Sequence, residues 1–333
     1  MTAAVSPQDV RLAAIRLKGH VVRTPMVPSA EFSDRVGRTV WVKAENMQHG
    51  GSFKFRGALN ALLQLSSEQR SRGVIGASSG NHGVALALAG HRLNIPVTVV
   101  LPADAPMAKR RTIEHLGATI VTYDRAEGGR DALVQIEANR QRLTVIPSAE
   151  HRHVVAGAGT AAVEMLEAVP GLAAILVPVG GGGLAAGSAL AAPGVEVIGV
   201  EPAVADDTSR SIRAGRQVRI DAPLTIADGL GHTIPPDFTF RINNRLLADV
   251  ITVPEPAIAD AMAYLWRHFG VKAEPSGAVA LAGLVQTHRL PSGPIGVVVS
   301  GGNVDWDTYK SLLTSSIVRT DPYEPEPAVS LLH

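Results

Sequence analysis

The sequence predicts an α/β protein with two open, twisted, mainly parallel sheets covered by helices on both faces, a small domain nested in a large one. Three observations carry this. Short β-branched runs recur along the chain, and alanine- and leucine-rich helical stretches separate most of them, as expected for parallel strands buried on both faces. Roughly eight or nine such runs in one chain of this size suit two sheets better than one. No low-complexity linker divides them, so one domain must enter and leave the other by short connections.

From the N-terminus, Gln8 to Lys18 places Val10, Ala14 and Leu17 at helical spacing and stops at Gly19, a surface helix. Thr39-Val40-Trp41-Val42-Lys43 is a short strand, and Phe55 to Leu65 is a helix. Strands follow at Val74–Ala77, Val97–Val100, Thr119–Thr122 and Thr144–Ile146, a compact unit. A second group, at Ala174–Val177, Val195–Val200, Val250–Val253 and Gly296–Val299, resumes after Pro147. The implied division is a large domain at 1–72 and 150–318 and a small domain at 73–149. The stretch 319–333, with Pro322, Pro325 and Pro327, reads as a loosely held tail.

Composition excludes several function classes. Hydrophobic residues make up 46% of the 333, enough for a core without staples. A net charge of +1 leaves no footprint for nucleic acid or an anionic membrane. The absence of cysteine rules out disulfides, thiolate metal sites and cysteine nucleophiles. No basic segment leads into an apolar run at the N-terminus. The most apolar region, Leu172 to Val200, is broken by Pro178, Gly180 to Gly183 and Pro193, so it is not one membrane span. A cytoplasmic protein is the expectation.

The chemistry gathers at four turns. Gly50-Gly51-Ser52-Phe53-Lys54-Phe55-Arg56-Gly57 sets a lysine between two phenylalanines after a double-glycine turn. Flanking rings desolvate an amine and favour its neutral, nucleophilic form, suited to Schiff-base chemistry. Alone the octapeptide reads more readily as a helix-start lysine in solvent, and the turns that follow reverse that preference. Three further turns follow strands at their carboxyl ends: Ser78-Ser79-Gly80-Asn81-His82-Gly83, Gly180-Gly181-Gly182-Gly183-Leu184 and Ser300-Gly301-Gly302-Asn303. Open α/β sheets bind ligands there. The four glycines run into a helix, so their N–H groups and the helix dipole form an anion cup. The turn lacks both the dinucleotide fingerprint and the Lys-Ser/Thr of a P-loop. A phosphate cup, a desolvated lysine and a polar turn together describe a site for a phosphorylated aldehyde, pyridoxal 5'-phosphate.

The run Glu45 to Ala58 (ENMQHGGSFKFRGA) resembles the lysine signature of fold-type II pyridoxal-phosphate enzymes, the fold also seen in the tryptophan synthase β-subunit. Its nearest branch is the serine/threonine dehydratase (threonine ammonia-lyase) and serine racemase group. SSGNHG, PVGGGGL, EPAVADD, TIADG, EPSGA and SGGNVD extend the likeness in order to about Asp305. The resemblance implies that Lys54 carries the cofactor and moves the substrate Cα proton, and that Phe53 flanks the ring. Asn81 would meet the ring hydroxyl, Gly180, Gly181, Gly182, Gly183 and Leu184 the phosphate, and Ser300 the pyridine nitrogen. Ser78, Ser79, Asn81 and His82 would grip the substrate carboxylate, and Ser79 stands where racemases place a second acid/base. Glu201, Ala205 and Asp207 match a divalent-cation site for Mg2+, Ca2+ or Mn2+, hard oxygen ligands that alone would equally make a solvated acidic turn. A homodimer or homotetramer acting on a small amino acid is implied.

A serine at the pyridine nitrogen cannot hold it protonated as a carboxylate would, so β-elimination is favoured over transamination. The implied activity is an ammonia-lyase that converts L-threonine or L-serine to a 2-oxo acid and ammonia. Alternatives are a serine or aspartate racemase, a dehydratase of 3-hydroxyaspartate or another bulkier β-hydroxy amino acid, and a binder that keeps the fold without catalysis. The chain departs from the family at Gly50, at Ala158 and at His151-Arg152-His153, which puts substrate identity in doubt. The His151/His153 pair lacks a third zinc ligand at a usual spacing and reads as a solvated loop. His232 and Asp237 are as compatible with the substrate's side-chain end as with an ordinary loop. Trp266 and Phe269 share a helical face and read as packing.

Overall fold

A computed structural model describes residues 4–317 apart from 79, 106, 125–128 and 288. Ser79 and the tail at 319–333 therefore lie outside the described residues. The strands are β1 Met26–Pro28, β2 Val40–Ala44, β3 Val74–Ala77, β4 Val97–Pro102, β5 Thr119–Tyr123, β6 Thr144–Val145, β7 Ala174–Pro178, β8 Glu196–Pro202, β9 Asp249–Val253 and β10 Ile295–Val299. They form a six-stranded sheet, β1-β2-β10-β7-β8-β9, and a four-stranded sheet, β5-β4-β3-β6. Every pairing is parallel except β1 with β2. This is the two-sheet α/β architecture that the strand–helix alternation predicts. Among the described residues no helix is long and apolar enough to cross a membrane.

Register brings the site turns together. Ile295 of β10 pairs with Val40 of β2 on one side and Ala174 of β7 on the other. These strands therefore finish side by side, and the lysine loop, the SGGN turn and the tetraglycine turn leave the same edge of the sheet. A bridge between Ser52 and Gly301 and a bond from Phe53 N to Ser300 O at 3.0 Å tie the first two turns together.

The helix Arg152–Ala168 carries the lysine helix, Lys54–Leu63, and the helix Gly183–Ala191 after the tetraglycine turn. A Cβ on Gly157 would lie 2.5 Å from the Arg56 carbonyl, and one on Gly159 would lie 2.4 Å from the Gly187 carbonyl. Only glycine admits helices this close.

Beneath the lysine helix lies a closed set of buried charges. Arg56 Nε and Nη2 donate to Glu45 Oε2 and Oε1, both at 2.7 Å, while Nη1 and Nη2 donate to Glu164 at 2.7 and 2.8 Å. Lys43 Nζ donates to Glu164 Oε2 at 2.5 Å and to the Thr24 carbonyl at 2.7 Å. Burial alone would raise the Glu45 carboxyl, but Arg56 and Lys43 hold it below its ordinary value.

Several details differ from the sequence reading. The first helix is Pro7–Leu17, because Ser6 and Asp9 form a reciprocal capping box ahead of it. β1 was not foreseen: three residues ending in proline carry no alternation, and an edge strand tolerates proline. His151-Arg152-His153 is no solvated loop. It opens the helix Arg152–Ala168, with Arg152 bonded to Asp9 at 2.9 Å and the two imidazoles edge to face at 5.3 Å. Phe269 is buried, but Trp266 is 48% exposed and only meets Tyr309 edge-on, so its place on the helical face does not make it core.

Candidate active site

Lys54 stands at the first residue of its helix, one earlier than the apolar pattern suggests. There the unpaired N–H groups and the helix dipole disfavour a second positive charge. Its Nζ donates to the Ser148 carbonyl at 3.1 Å and lies 5.0 Å from the centre of the Phe53 ring. Burial lowers the amine to about 8. Only one of the flanking phenylalanines faces it. Successive helical residues diverge by roughly 100°, so Phe55 turns into the core, under His49 and the Arg92 guanidinium.

The tetraglycine turn is held from behind. Thr239 Oγ1 donates to the Gly181 carbonyl at 2.7 Å and Asn243 Nδ2 to the Gly182 carbonyl at 3.2 Å, both from the helix Asp237–Leu246. With the carbonyls engaged, the N–H groups of Gly180, Gly181 and Gly182 carry no hydrogen bond among the described residues. Gly182 has φ of +75°, and a Cβ there would fall 2.5 Å from Asn243 Nδ2; a Cβ on Gly183 would make only ordinary contact, 3.4 Å from Ala149. The cradle is thus shaped for an anion at the start of the helix Gly183–Ala191.

Lys54, the four glycines, Leu184 and Ser300 line one cleft of about 420 Å³ with Phe53, Ser78, Asn81 and His82. That volume suits a ligand of cofactor size. Ser78 Oγ accepts from Gly80 N at 3.0 Å. His82 is buried, with Nε2 against the Ile146 carbonyl at 2.9 Å, and burial followed by the nearby Lys54 charge lowers it to about 4. Ser300 is 5% exposed and reaches the Ser276 carbonyl at 3.5 Å. The partner of Ser300 Oγ is thus a backbone carbonyl and not a carboxylate.

The cleft also holds His232, which the sequence offered as one of two readings, and three residues it did not single out, Arg130, Tyr123 and Thr233. Arg130 and Tyr123 come from the small-sheet side, and His232 and Thr233 from the facing loop. Arg130 donates to Asp131 through Nε at 2.8 Å and Nη2 at 3.3 Å. His232 is brought to about 4 by burial, then by Lys54 and Arg130. Asp237 does not join them; it is an exposed partner of Arg241. Arg130 gave no signal because one arginine in a charged stretch is unremarkable by itself. Glu274, which bonds Asn81, lay in a quoted motif, yet nothing in its spacing tied it to a residue so distant in the chain.

Glu201, Ala205 and Asp207 are buried away from the cleft. Glu201 Oε1 accepts from Ser209 N at 2.7 Å, whereas Glu201 Oε2 and Asp207 Oδ2 have no hydrogen-bond partner among the described residues. Burial, with neighbouring carboxylates adding to it, raises Glu201 to about 8, and burial raises Asp207 to about 7. Among the described residues no group of three or more His, Cys, Asp or Glu side chains converges on a common point.

A family model described as pyridoxal-phosphate dependent enzyme matches residues 17–301. The chain is 41% identical to an L-threo-3-hydroxyaspartate ammonia-lyase of Saccharomyces cerevisiae, covering 92% of this chain and 95% of that one. It is 40% identical to a serine racemase of Schizosaccharomyces pombe, over 92% of this chain and 96% of the other. Among solved structures, maize serine racemase superposes with a TM-score of 0.88 at 35% identity, covering 95% and 99% of the two chains.

Proposed function

We infer the reaction from one premise: the chain belongs to the pyridoxal-phosphate-dependent enzyme family, and its relatives are ammonia-lyases and racemases. We propose that it is an ammonia-lyase dehydrating a small β-hydroxy amino acid, L-serine or L-threonine, to a 2-oxo acid and ammonia. The observation that carries this is an amine without a carboxylate partner in the same cleft as an open tetraglycine cradle and a neutral serine hydroxyl.

The residues fit the cofactor. Gly180 to Gly183 would hold its phosphate, Lys54 its aldehyde, Phe53 one face of its ring, Asn81 the ring hydroxyl and Ser300 the pyridine nitrogen. Bound there, pyridoxal phosphate supplies a carbonyl that couples to amines and an electron sink that acidifies the adjacent Cα–H bond. Lys54, lowered to about 8, is partly neutral near physiological pH and serves first as nucleophile. The same Nζ would take the Cα proton of the bound substrate. The N–H groups at the start of the helix Asn81–Leu93, with Ser78 Oγ, orient the substrate carboxylate. A hydroxyl at Ser300 would not hold the ring nitrogen protonated as a carboxylate would, and the weaker sink would favour departure of the β-hydroxyl. Loss of water, then hydrolysis of the released enamine, yields the 2-oxo acid and ammonia.

A specific observation supports a second reading. Arg130 and His232 both line the cleft and offer a cation and ring nitrogens to a side-chain carboxylate, which favours 3-hydroxyaspartate over threonine. The racemase alternative turns on Ser79. Incubating the holoenzyme with L-serine, L-threonine and threo-3-hydroxyaspartate, and measuring 2-oxo acid and D-amino acid together, separates all three. D-serine in excess over pyruvate, or no 2-oxo acid from any substrate, would sink the lyase assignment.

For the cation, Glu201, Asp207 and the Ala205 carbonyl would hold Mg2+, Ca2+ or Mn2+, and two orphaned carboxylate oxygens support this. Its role would be structural. Analytical ultracentrifugation tests assembly as a homodimer or homotetramer, with a monomer at assay concentration as the contrary result.

A further inference from the structure

The side-chain amide of Asn81 has both ends engaged by other side chains. Its Nδ2 donates to Glu274 Oε1 at 2.5 Å, and its Oδ1 accepts from Asn303 Nδ2 at 2.8 Å. Most asparagines could be turned over, since their oxygen and nitrogen are nearly alike in size. Here the partners remove that freedom. The Gly50 carbonyl can only accept, so Asn303 must present nitrogen to it, at 2.7 Å. The same nitrogen faces Asn81, which must answer with oxygen. On the other side the Glu274 carboxylate can only accept, so Asn81 must answer with nitrogen. Each side independently demands the same orientation.

Two loops make room for this arrangement. Gly51, with φ of +72°, would place a Cβ 2.1 Å from Asn303 Oδ1. A Cβ on Gly301 would fall 2.3 Å from Glu274 Oε1 and 3.1 Å from Asn81 Nδ2. Asn81 and Glu274 line the cleft, whereas Asn303 stands behind it, exposed on its outer side.

We propose that Asn303 and Glu274 are positioning residues that force Asn81 to offer the cleft an N–H and never a carbonyl oxygen. Nδ2 bears two protons, and Glu274 takes one. The other is left for a ligand. This rests on the reading above, in which Asn81 meets the ring hydroxyl oxygen of pyridoxal phosphate. A fixed donor at that atom favours its charged form over the hydroxyl. The clamp therefore sets the pH at which the bound chromophore titrates, a property that overall stability does not govern.

The test is a pH titration of the visible absorption band of the holoenzyme in wild type, Asn81→Ala, Asn303→Ala and Asn303→Asp. Removing the donor in Asn81→Ala should raise the midpoint by about one pH unit. Asn303→Ala frees the amide to turn over and should raise it in the same direction by a smaller amount. Asn303→Asp, which places an acceptor against Asn81 Oδ1, should shift it at least as far as Asn303→Ala. Asn303 is exposed, so both variants should fold, and thermal melting checks this. If Asn81→Ala moves the midpoint but neither Asn303 variant does, the clamp is wrong while the ring contact stands. If Asn81→Ala leaves it unmoved, the ring contact itself fails and takes the clamp with it. Lower cofactor affinity or melting temperature at an unchanged midpoint would mean Asn303 is merely structural.

Discussion

Lys43 and Lys54 lie at the two ends of one connection, from β2 to the helix that follows it, and the fold treats them oppositely. Lys43 is 1% exposed and meets Glu164 and the Thr24 carbonyl, within a set that also holds Arg56 and Glu45. Two cations face two carboxylates, and the charges cancel. Lys54 has one carbonyl, one aromatic ring and a helix N-terminus around it, and nothing among them stabilises an ammonium as a carboxylate would. Burying a charge costs several kcal/mol unless it is paired. The closed set is a structural strut. Lys54 and the Glu201–Asp207 pair have no such compensating charge among the described residues.

Five measurements would break or sharpen that contrast, and the largest effect belongs to the unpaired lysine. Lys54→Ala should remove at least about 1,000-fold of turnover and abolish the visible band of the holoenzyme, while apoenzyme melting stays within a few degrees of wild type. In the wild type, the rate of cofactor attachment should rise with pH around a midpoint near 8; a midpoint at the ordinary lysine value would mean the amine is solvated. Arg56→Met should do the reverse of Lys54→Ala. It leaves Lys43 as one cation against two carboxylates and should cost about 3–5 kcal/mol in urea unfolding. A loss below about 1 kcal/mol would show that the quartet is not closed as described.

The third effect concerns the cradle. Gly182→Ala, which meets both a positive φ and Asn243 Nδ2, should weaken cofactor binding by about 10–100-fold, whereas Gly183→Ala should stay within about threefold. Equal losses at both positions would argue against a shaped anion site. The smallest effect concerns the acidic pair. Glu201 and Asp207 are raised in the fold, to about 8 and about 7, so the folded chain keeps protons that the unfolded chain has shed. Without a cation, this pair's contribution to stability is greatest below the ordinary carboxylate range and declines as pH climbs toward 8. Added Mg2+ or Ca2+ should restore melting by on the order of 5 °C at pH 8 and by much less at pH 5. Glu201→Gln should flatten both dependences. A cation response that is the same at the two pH values would remove these carboxylates from consideration.

Much of this was legible in the chain itself. Glycine runs after β-branched strands placed the lysine loop, the tetraglycine turn and the SGGN turn correctly, because each is a local event at a strand end. His151-Arg152-His153 misled, since the contact that draws it into a helix start is Asp9, far away in sequence. The same limit hid Arg130 and Glu274 as cleft residues, and it gave Trp266 to the core when half of it faces solvent.

Local chemistry, then, was enough to specify an α/β chain, its strands and turns, and a lysine and an anion cup apt for a phosphorylated aldehyde. These follow from backbone conformation and short-range periodicity, which neighbouring residues decide among themselves. Whether a buried charge is answered or left open was settled only by tertiary packing. Glu164 reaches Arg56 and Asn303 reaches Asn81 across long stretches of chain, and hydrogen bonding and desolvation act through space within a few ångströms, with no regard for sequence order.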